Sequence, residues 1–317
     1  MPVPNPSAED REMLALLKGV SRSFYLSVRL LPSGLRRPVA VGYLLARTSD
    51  SIADAPGLDA VTRLRMLQQF DDDVQGRCPP SPIPSPPDMN EAEARLLGAL
   101  PNCIAWLDAL ATDDRADVIT VLGHITRGQT LDVQRFGEAS AAQPSALATD
   151  EELDEYTYLV AGCVGEFWTR LSFRHVPAFA KLPEAQMLEL GRNYGKALQL
   201  INVLRDADED LAQGRRYVPA HSDTRQWLRR ARVGLDDGMR YSLAIASRRI
   251  RVASALPALI GARTLSLLEF SPEAGRAKVP RRDVRSLLAR IAFTFGSSRQ
   301  LDYEFLRATL GWDNRPR

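Results

Sequence analysis

Cysteine and histidine are both scarce in this sequence, three of each in 317 residues. Cys78, Cys103 and Cys163 are odd in number and share no metal-binding spacing, and the histidines are scattered. That excludes a disulfide framework and a zinc site and fits a reducing compartment. Excess charge is missing too: 41 basic residues against 39 acidic ones leave a formal net charge of +2, which excludes nucleic acid as a partner. The arginine clusters Arg229, Arg230, Arg232 and Arg248, Arg249, Arg251 fall at helix-surface spacing and are expected on solvated faces. No uninterrupted apolar run approaches the roughly 18 residues that suggest a membrane span. The start Met-Pro-Val-Pro-Asn-Pro is not a signal peptide, and the end Asp-Asn-Arg-Pro-Arg carries no prenylation signal or hydrophobic tail. A cytoplasmic protein is expected, one that meets a membrane only peripherally. No feature sets an oligomeric state.

Convincing strand alternation is absent as well. Apolar residues in Val39 to Ile52, Val118 to Val133, Leu153 to Leu171 and Met187 to Leu211 recur at three- and four-residue steps, which predicts an all-α chain. With 45% hydrophobic residues it has enough apolar side chains for one large domain over residues 1–317. Residues 1–8 are expected to be flexible, with Ser7 and Asp10 in a capping arrangement before the first helix. Gly34 and Pro38 are expected to bracket a break, and a later helix should end near Gly214. The segment 78–88 holds six prolines and is expected as a stiff surface loop. No repeat of fixed period occurs.

What the sequence does hold is paired aspartate. Roughly two Asp-x-x-x-Asp matches are expected by chance from 24 aspartates, and four occur. Asp113/Asp117 and Asp150/Asp154 follow Ala-Thr and lead into helical sequence, where capping and the helix dipole explain them. Asp50/Asp54 and Asp206/Asp210 lie late in long helical patterns, where the dipole gives no such reason. Tyr43, Arg47, Asp50 and Asp54 form one helical stripe at offsets 0, 4, 7 and 11, and Gln199, Asn202, Asp206 and Asp210 form another at 0, 3, 7 and 11. A salt-bridge ladder, Arg47 to Asp50 or Arg205 to Glu209, is the structural explanation. The chemical one is departure of a diphosphate: magnesium bridges carboxylates to phosphate oxygens, and Arg22, Arg47, Arg205 and Arg215 are candidates to clamp the phosphates.

These blocks resemble the squalene and phytoene synthase family. The resemblance rests on Ser21-Arg22-Ser23-Phe24-Tyr25, on Tyr43 through Asp54, on Tyr156-Thr-Tyr-Leu-Val-Ala161-Gly162-Cys-Val-Gly165, and on Gln199 through Asp210 followed by Gly214-Arg215-Arg216-Tyr217-Val-Pro219. It implies a single-domain, all-α isoprenoid synthase helical bundle with a central cavity. It also implies Mg²⁺ (or Mn²⁺) bound by Asp50, Asp54, Asn202, Asp206 and Asp210. Prenyl diphosphate substrates would be held by Ser21, Arg22, Ser23, Phe24, Arg47, Gln199, Asn202, Arg205 and Arg215, with Tyr156 and Tyr43 as catalytic candidates.

The implied reaction joins two farnesyl diphosphates head to head through presqualene diphosphate to a C30 hydrocarbon. It ends in squalene, by hydride transfer from NADPH; the alternative is a dehydrosqualene synthase, or a phytoene synthase acting on C20 substrates, ending in proton loss without NADPH. An apolar product implies transient membrane contact. In squalene synthases a basic group near the C-terminus is associated with the nicotinamide cofactor, and Lys278, Arg281 and Arg282 are its counterparts here, interrupted by Pro280. The turn before Ala255-Leu-Pro257 reads Arg251-Val-Ala253, where such a synthase is expected to carry an aromatic. A terpene cyclase and a non-catalytic helical partner are the competing readings; neither acidic helix begins with the Asp-Asp-x-x-Asp of chain-elongating enzymes.

Overall fold

The computed structural model describes residues 8–86, 88–270, 279–293 and 297–310; residues 1–7, including Ser7, and Lys278 lie outside them. Helix dominates the described residues, and strand is confined to two segments of two residues each, so the chain is all-α. It divides into two compact units, the first ending at Glu138 and the second beginning at Ala139.

The first unit comprises α1 (Ala8–Val20), α2 (Arg22–Leu30), α3 (Ser33–Ala53), α4 (Ala60–Val74), α5 (Glu91–Gly98), α6 (Leu100–Asp108) and α7 (Thr112–Phe136). The other six all pack on α3, which is why its burial is so complete: Leu35, Ala40, Val41, Leu44, Leu45 and Ile52 are wholly enclosed. Each side chain of Leu or Ile size removed from water contributes about 1.5–3 kcal/mol. The break expected at Gly34 and Pro38 is not there. The chain turns at Leu31 and Pro32, and α3 then runs unbroken through Pro38. Pro38 lies early in the helix and costs it one backbone hydrogen bond, and burial of the surrounding apolar face offsets that loss. Arg36 donates to the carbonyls of Arg29 and Leu31 and so caps the end of α2. Residues 79–86 are irregular, as six prolines require, and the loop is pinned by buried Ile83, whose N–H donates to the Leu97 carbonyl.

The second unit comprises β1 (Ser145–Ala146), α8 (Asp150–Thr157), a π-helical turn (Tyr158–Gly162), α9 (Cys163–His175), α10 (Glu184–Ala212), β2 (Arg215–Arg216), α11 (Thr224–Ala244), α12 (Arg248–Phe270), α13 (Arg281–Phe293) and α14 (Ser298–Thr309). The pattern read as one helix over Leu153 to Leu171 is therefore interrupted by a π turn, a device frequent at functional sites. α10 is the central element and packs on α8, α9, α11 and α12. Its contact with α9 is backbone on backbone: a Cβ on Gly165 would stand 2.0 Å from the Gly191 carbonyl oxygen. Helix α10 ends where expected. Gly214 follows it with φ of +82°, and a Cβ there would meet the Ser140 backbone at 2.3 Å. β1 and β2 pair in parallel through Ser145 N–H to the Gly214 carbonyl (2.8 Å) and Leu147 N–H to the Arg216 carbonyl (3.0 Å).

Within α12, Arg248–Glu269 is long and apolar enough to cross a membrane by composition, with a mean hydropathy of 1.3. Ala255, Ala258, Leu259, Ala262 and Leu265 are nonetheless buried and the helix packs on α10, α11 and α14, so it serves as core. The arginine clusters are not simply solvated. Arg251 is buried and donates to the carbonyls of Ile245 and Ala246 and to Ser298 Oγ. Arg230 lies over the Trp227 ring and pairs with Asp154, and Arg232 pairs with Glu269. A long apolar stem with a five-donor head suits burial wherever backbone carbonyls or carboxylates wait for it.

Candidate active site

In the first unit the stripe predicted from spacing is real. Tyr43, Arg47, Asp50 and Asp54 all belong to the one helix α3, with Asp54 its C-cap and exposed. The Tyr43 ring stacks on Phe24 of α2, centroids 3.9 Å apart and planes 18° from parallel, which fixes the phenol against the Ser21–Phe24 block. Ser21 caps α2 by accepting the Phe24 N–H at 3.3 Å. The side chains of Arg22 and Ser23 lie outside the described set. Arg47 does not bridge to Asp50 as a ladder; it pairs with Glu93 of α5. Asp50 instead accepts from Gln129 Nε2 of α7. Burial pushes the Asp50 carboxyl up to about 6; Arg47 opposes the rise, while the charges of Asp54 and Glu93 add to it.

The second unit carries the other set, all on the last turns of α10. Asp206 and Asp210 are half-buried and Asn202 is exposed, its Nδ2 3.5 Å from Gln199 Oε1. Arg205 turns to its neighbour Asp206, with Nε donating to Oδ1 at 2.8 Å, rather than to Glu209. This pairing raises the Arg205 guanidinium further above its ordinary value. Arg215 stands in β2, just beyond the Gly214 turn, half-buried while Arg216 is exposed. Tyr156 lies near the end of α8, two residues before the π turn, with its ring 4.9 Å from that of buried Tyr217. Gly165 serves close packing of α9 against α10. In the basic tail, Arg282 is exposed and faces Asp283 at 3.5 Å, and the Arg281 side chain lies outside the described set.

Of the two Asp-x-x-x-Asp pairs explained by capping, Asp113 and Asp150 do stand in the first turns of α7 and α8. Asp154 serves the fold by receiving both Lys196 (2.7 Å) and Arg230 (2.8 Å). The other two pairs differ in kind. Each closes its helix, so carboxylates one turn apart repel at the pole where the dipole is already negative.

A divalent cation fits that donor chemistry. Among the described residues no three His, Cys, Asp or Glu side chains gather as a protein-only cage. Magnesium commonly takes only one or two carboxylates and completes its shell with water and substrate phosphates, so acidic pairs with arginines beside them suit a metal that arrives with a diphosphate. Sequence reasoning missed Gln129 and Glu93. Gln129 left a signal: it interrupts the apolar stripe Val118, Leu122, Ile125, Val133 of α7.

Comparison with known proteins supplies an independent view. The family model described as squalene/phytoene synthase matches residues 17–226. The presqualene diphosphate synthase of Rhodopseudomonas palustris is 33% identical over 62% of this chain and 58% of its own length. The squalene synthase of Mycosarcoma maydis is 28% identical over 68% of this chain and 37% of its own, and the 15-cis-phytoene synthase of Synechocystis sp. 28% over 69% and 60%. The chain thus spans well under two thirds of these relatives. The solved structure of TcSQS with the ligand BPH1237 aligns with a TM-score of 0.77 over 98% of this chain and 93% of that one, at 20% identity, which shows a shared fold.

Proposed function

Since this chain belongs to the squalene/phytoene synthase family, we propose that it is a prenyltransferase joining two farnesyl diphosphates head to head, its two units working as one isoprenoid synthase domain. The observation that carries this reading is the pair of acidic helix ends: Asp50 and Asp54 close α3, and Asp206 and Asp210 close α10, each with an arginine beside it.

Asp50, Asp54, Asp206 and Asp210, with Asn202, would hold the Mg²⁺ ions. Bound there, the ions neutralise the charge that gathers on the departing diphosphate. Arg22, Arg47, Arg205 and Arg215, with Ser21, Ser23, Phe24 and Gln199 around them, hold the diphosphate oxygens and fix the direction of departure. In the first half-reaction the C–O bond of one farnesyl diphosphate breaks and the diphosphate leaves with the electron pair. The double bond of the second substrate captures the allylic cation, and loss of a proton closes a cyclopropane to give presqualene diphosphate. A phenol of ordinary pKa near 10 is a weak base, so Tyr156 steers that proton toward the departed diphosphate, and Tyr43 supports the first diphosphate. In the second half the remaining diphosphate leaves and the cation rearranges. Lys278, Arg281 and Arg282 would hold NADPH, which would supply the hydride that completes squalene.

A proton-loss ending without NADPH, yielding dehydrosqualene from farnesyl diphosphate or phytoene from geranylgeranyl diphosphate, is favoured by one observation. The turn Arg251-Val-Ala253, where a reductive synthase is expected to carry an aromatic, offers instead Arg251, buried and committed to backbone carbonyls and Ser298. The test is incubation with farnesyl diphosphate and Mg²⁺, with and without NADPH, followed by mass spectrometry. Squalene formed only with NADPH is the expected outcome, and dehydrosqualene under both conditions selects the proton-loss ending. Product formed solely from geranylgeranyl diphosphate, a C40 hydrocarbon, would overturn the farnesyl assignment, and no hydrocarbon from either substrate would favour a non-catalytic role.

A further inference from the structure

Helices α3 and α7 pack on each other in the first unit, and beside Asp50 a polar side chain of α7 enters that contact. Gln129 of α7 is buried at 8% exposure, replacing an apolar residue in its helix stripe, and donates Nε2–H to Asp50 Oδ1. Its Oε1 is buried and has no hydrogen-bond partner. A primary amide in a helix–helix interface with its acceptor unsatisfied costs roughly 1–3 kcal/mol relative to a satisfied one. A leucine would fill the same space without that cost, so packing does not account for the residue.

We infer that Gln129 is a positioning residue: it fixes the Asp50 carboxylate by binding one oxygen and leaves the other for the cation. The inference rests on the proposed role of Asp50 as a metal ligand and adds a residue to it. Carboxylates that bind metals are themselves held by hydrogen bonds from the protein, and loss of such a bond lowers metal affinity or activity about 10- to 100-fold. An amide is the donor the site calls for. It orients Asp50 without contributing a charge of its own, whereas an arginine there would compete with the cation and a carboxylate would repel Asp50. The unsatisfied Oε1 adds to the case. Magnesium retains several of its waters when protein-bound, and a hydrating water carried in with the ion offers the donor that this oxygen lacks.

The experiment is Mn²⁺ binding to the full chain at saturating inorganic diphosphate, followed by electron paramagnetic resonance, with Mg²⁺ competing. Gln129→Leu and Gln129→Met keep the volume and remove the donor; each is expected to weaken Mn²⁺ about 10- to 100-fold. Thr126→Val, one turn earlier on α7 and equally buried, is expected to leave the affinity unchanged. Equal weakening by Thr126→Val would reduce the effect to helix repacking and overturn the inference, as would wild-type affinity in both Gln129 variants. Asp50→Asn separates this inference from the function on which it rests. If Asp50→Asn weakens Mn²⁺ and the Gln129 variants do not, only the role of Gln129 fails. If Asp50→Asn binds as wild type, the metal-site reading fails with it.

Discussion

Burial, more than any charged neighbour, sets the chemistry of the enclosed titratable side chains. The thiols of Cys103 and Cys163 are pushed up to about 12 by the apolar surroundings of their helices. Exposed Cys78 is raised by a different cause, the Asp73 carboxylate that accepts its S–H at 3.0 Å. All three are thiols rather than thiolates at neutral pH, so none is poised as a nucleophile. Iodoacetamide is expected to alkylate Cys78 alone in the native protein, slowly at pH 7 and faster as the pH rises, and all three in denaturant; peptide mass mapping reads this directly. The same contrast explains which site residues could be read from sequence. Asp50, Asp54, Arg47 and Tyr43 share one helix, so their spacing alone placed them on a stripe. The partners of Asp50 and Arg47 proved to be Gln129 and Glu93, which come from α7 and α5, and helical periodicity carries no information about which helix lies opposite.

At the scale of elements, helix positions follow from apolar periodicity, while departures from the ideal helix do not. Gly34 and Pro38 are locally helix-breaking, and the burial of α3 from several sides overrides them. The π turn at Tyr158–Gly162 adds a residue that the apolar pattern of Leu153 to Leu171 absorbs without trace. The glycines of α9 and α10 were visible, but their purpose depends on a tertiary contact, Gly165 against Gly191. Gly165→Ala must push the two helices apart, which costs about 1–3 kcal/mol and is expected to lower the thermal midpoint by several degrees. Gly123→Ala in α7, where the nearest atom to a new Cβ is the Gln75 side-chain amide at 3.6 Å, is expected to hold or raise the midpoint, because alanine favours the helix by about 1 kcal/mol. Circular dichroism melts of the two variants make the comparison. A fall with both would mean that helical glycine is not tied to that contact.

For the molecule as a whole, the all-α class follows from composition and period; the division at Glu138 and Ala139 is marked only by the small-residue run Ala139-Ser-Ala-Ala-Gln-Pro-Ser145, which by itself does not distinguish a surface loop from a boundary between units. One acidic pair belongs to each unit, which gives the proposed ligand a thermodynamic signature. Inorganic diphosphate with Mg²⁺ at 100 times its dissociation constant stabilises the folded chain by about 2.7 kcal/mol. The thermal midpoint is expected to rise accordingly in the wild type, and to rise far less in Asp50→Asn and in Asp206→Asn, measured by scanning calorimetry. A full shift in both variants would place the cation elsewhere. The small parallel ladder of the second unit has a consequence of a different kind. Arg215 is held by backbone pairing to residues 145–147, not by a helix of its own. In an extended segment consecutive side chains take opposite faces, so slipping that pairing by one position would exchange half-buried Arg215 for exposed Arg216. Which arginine is available to a phosphate is then decided by the register of a loop some seventy residues upstream, and insertions or deletions within 139–149 would change it without touching the arginines.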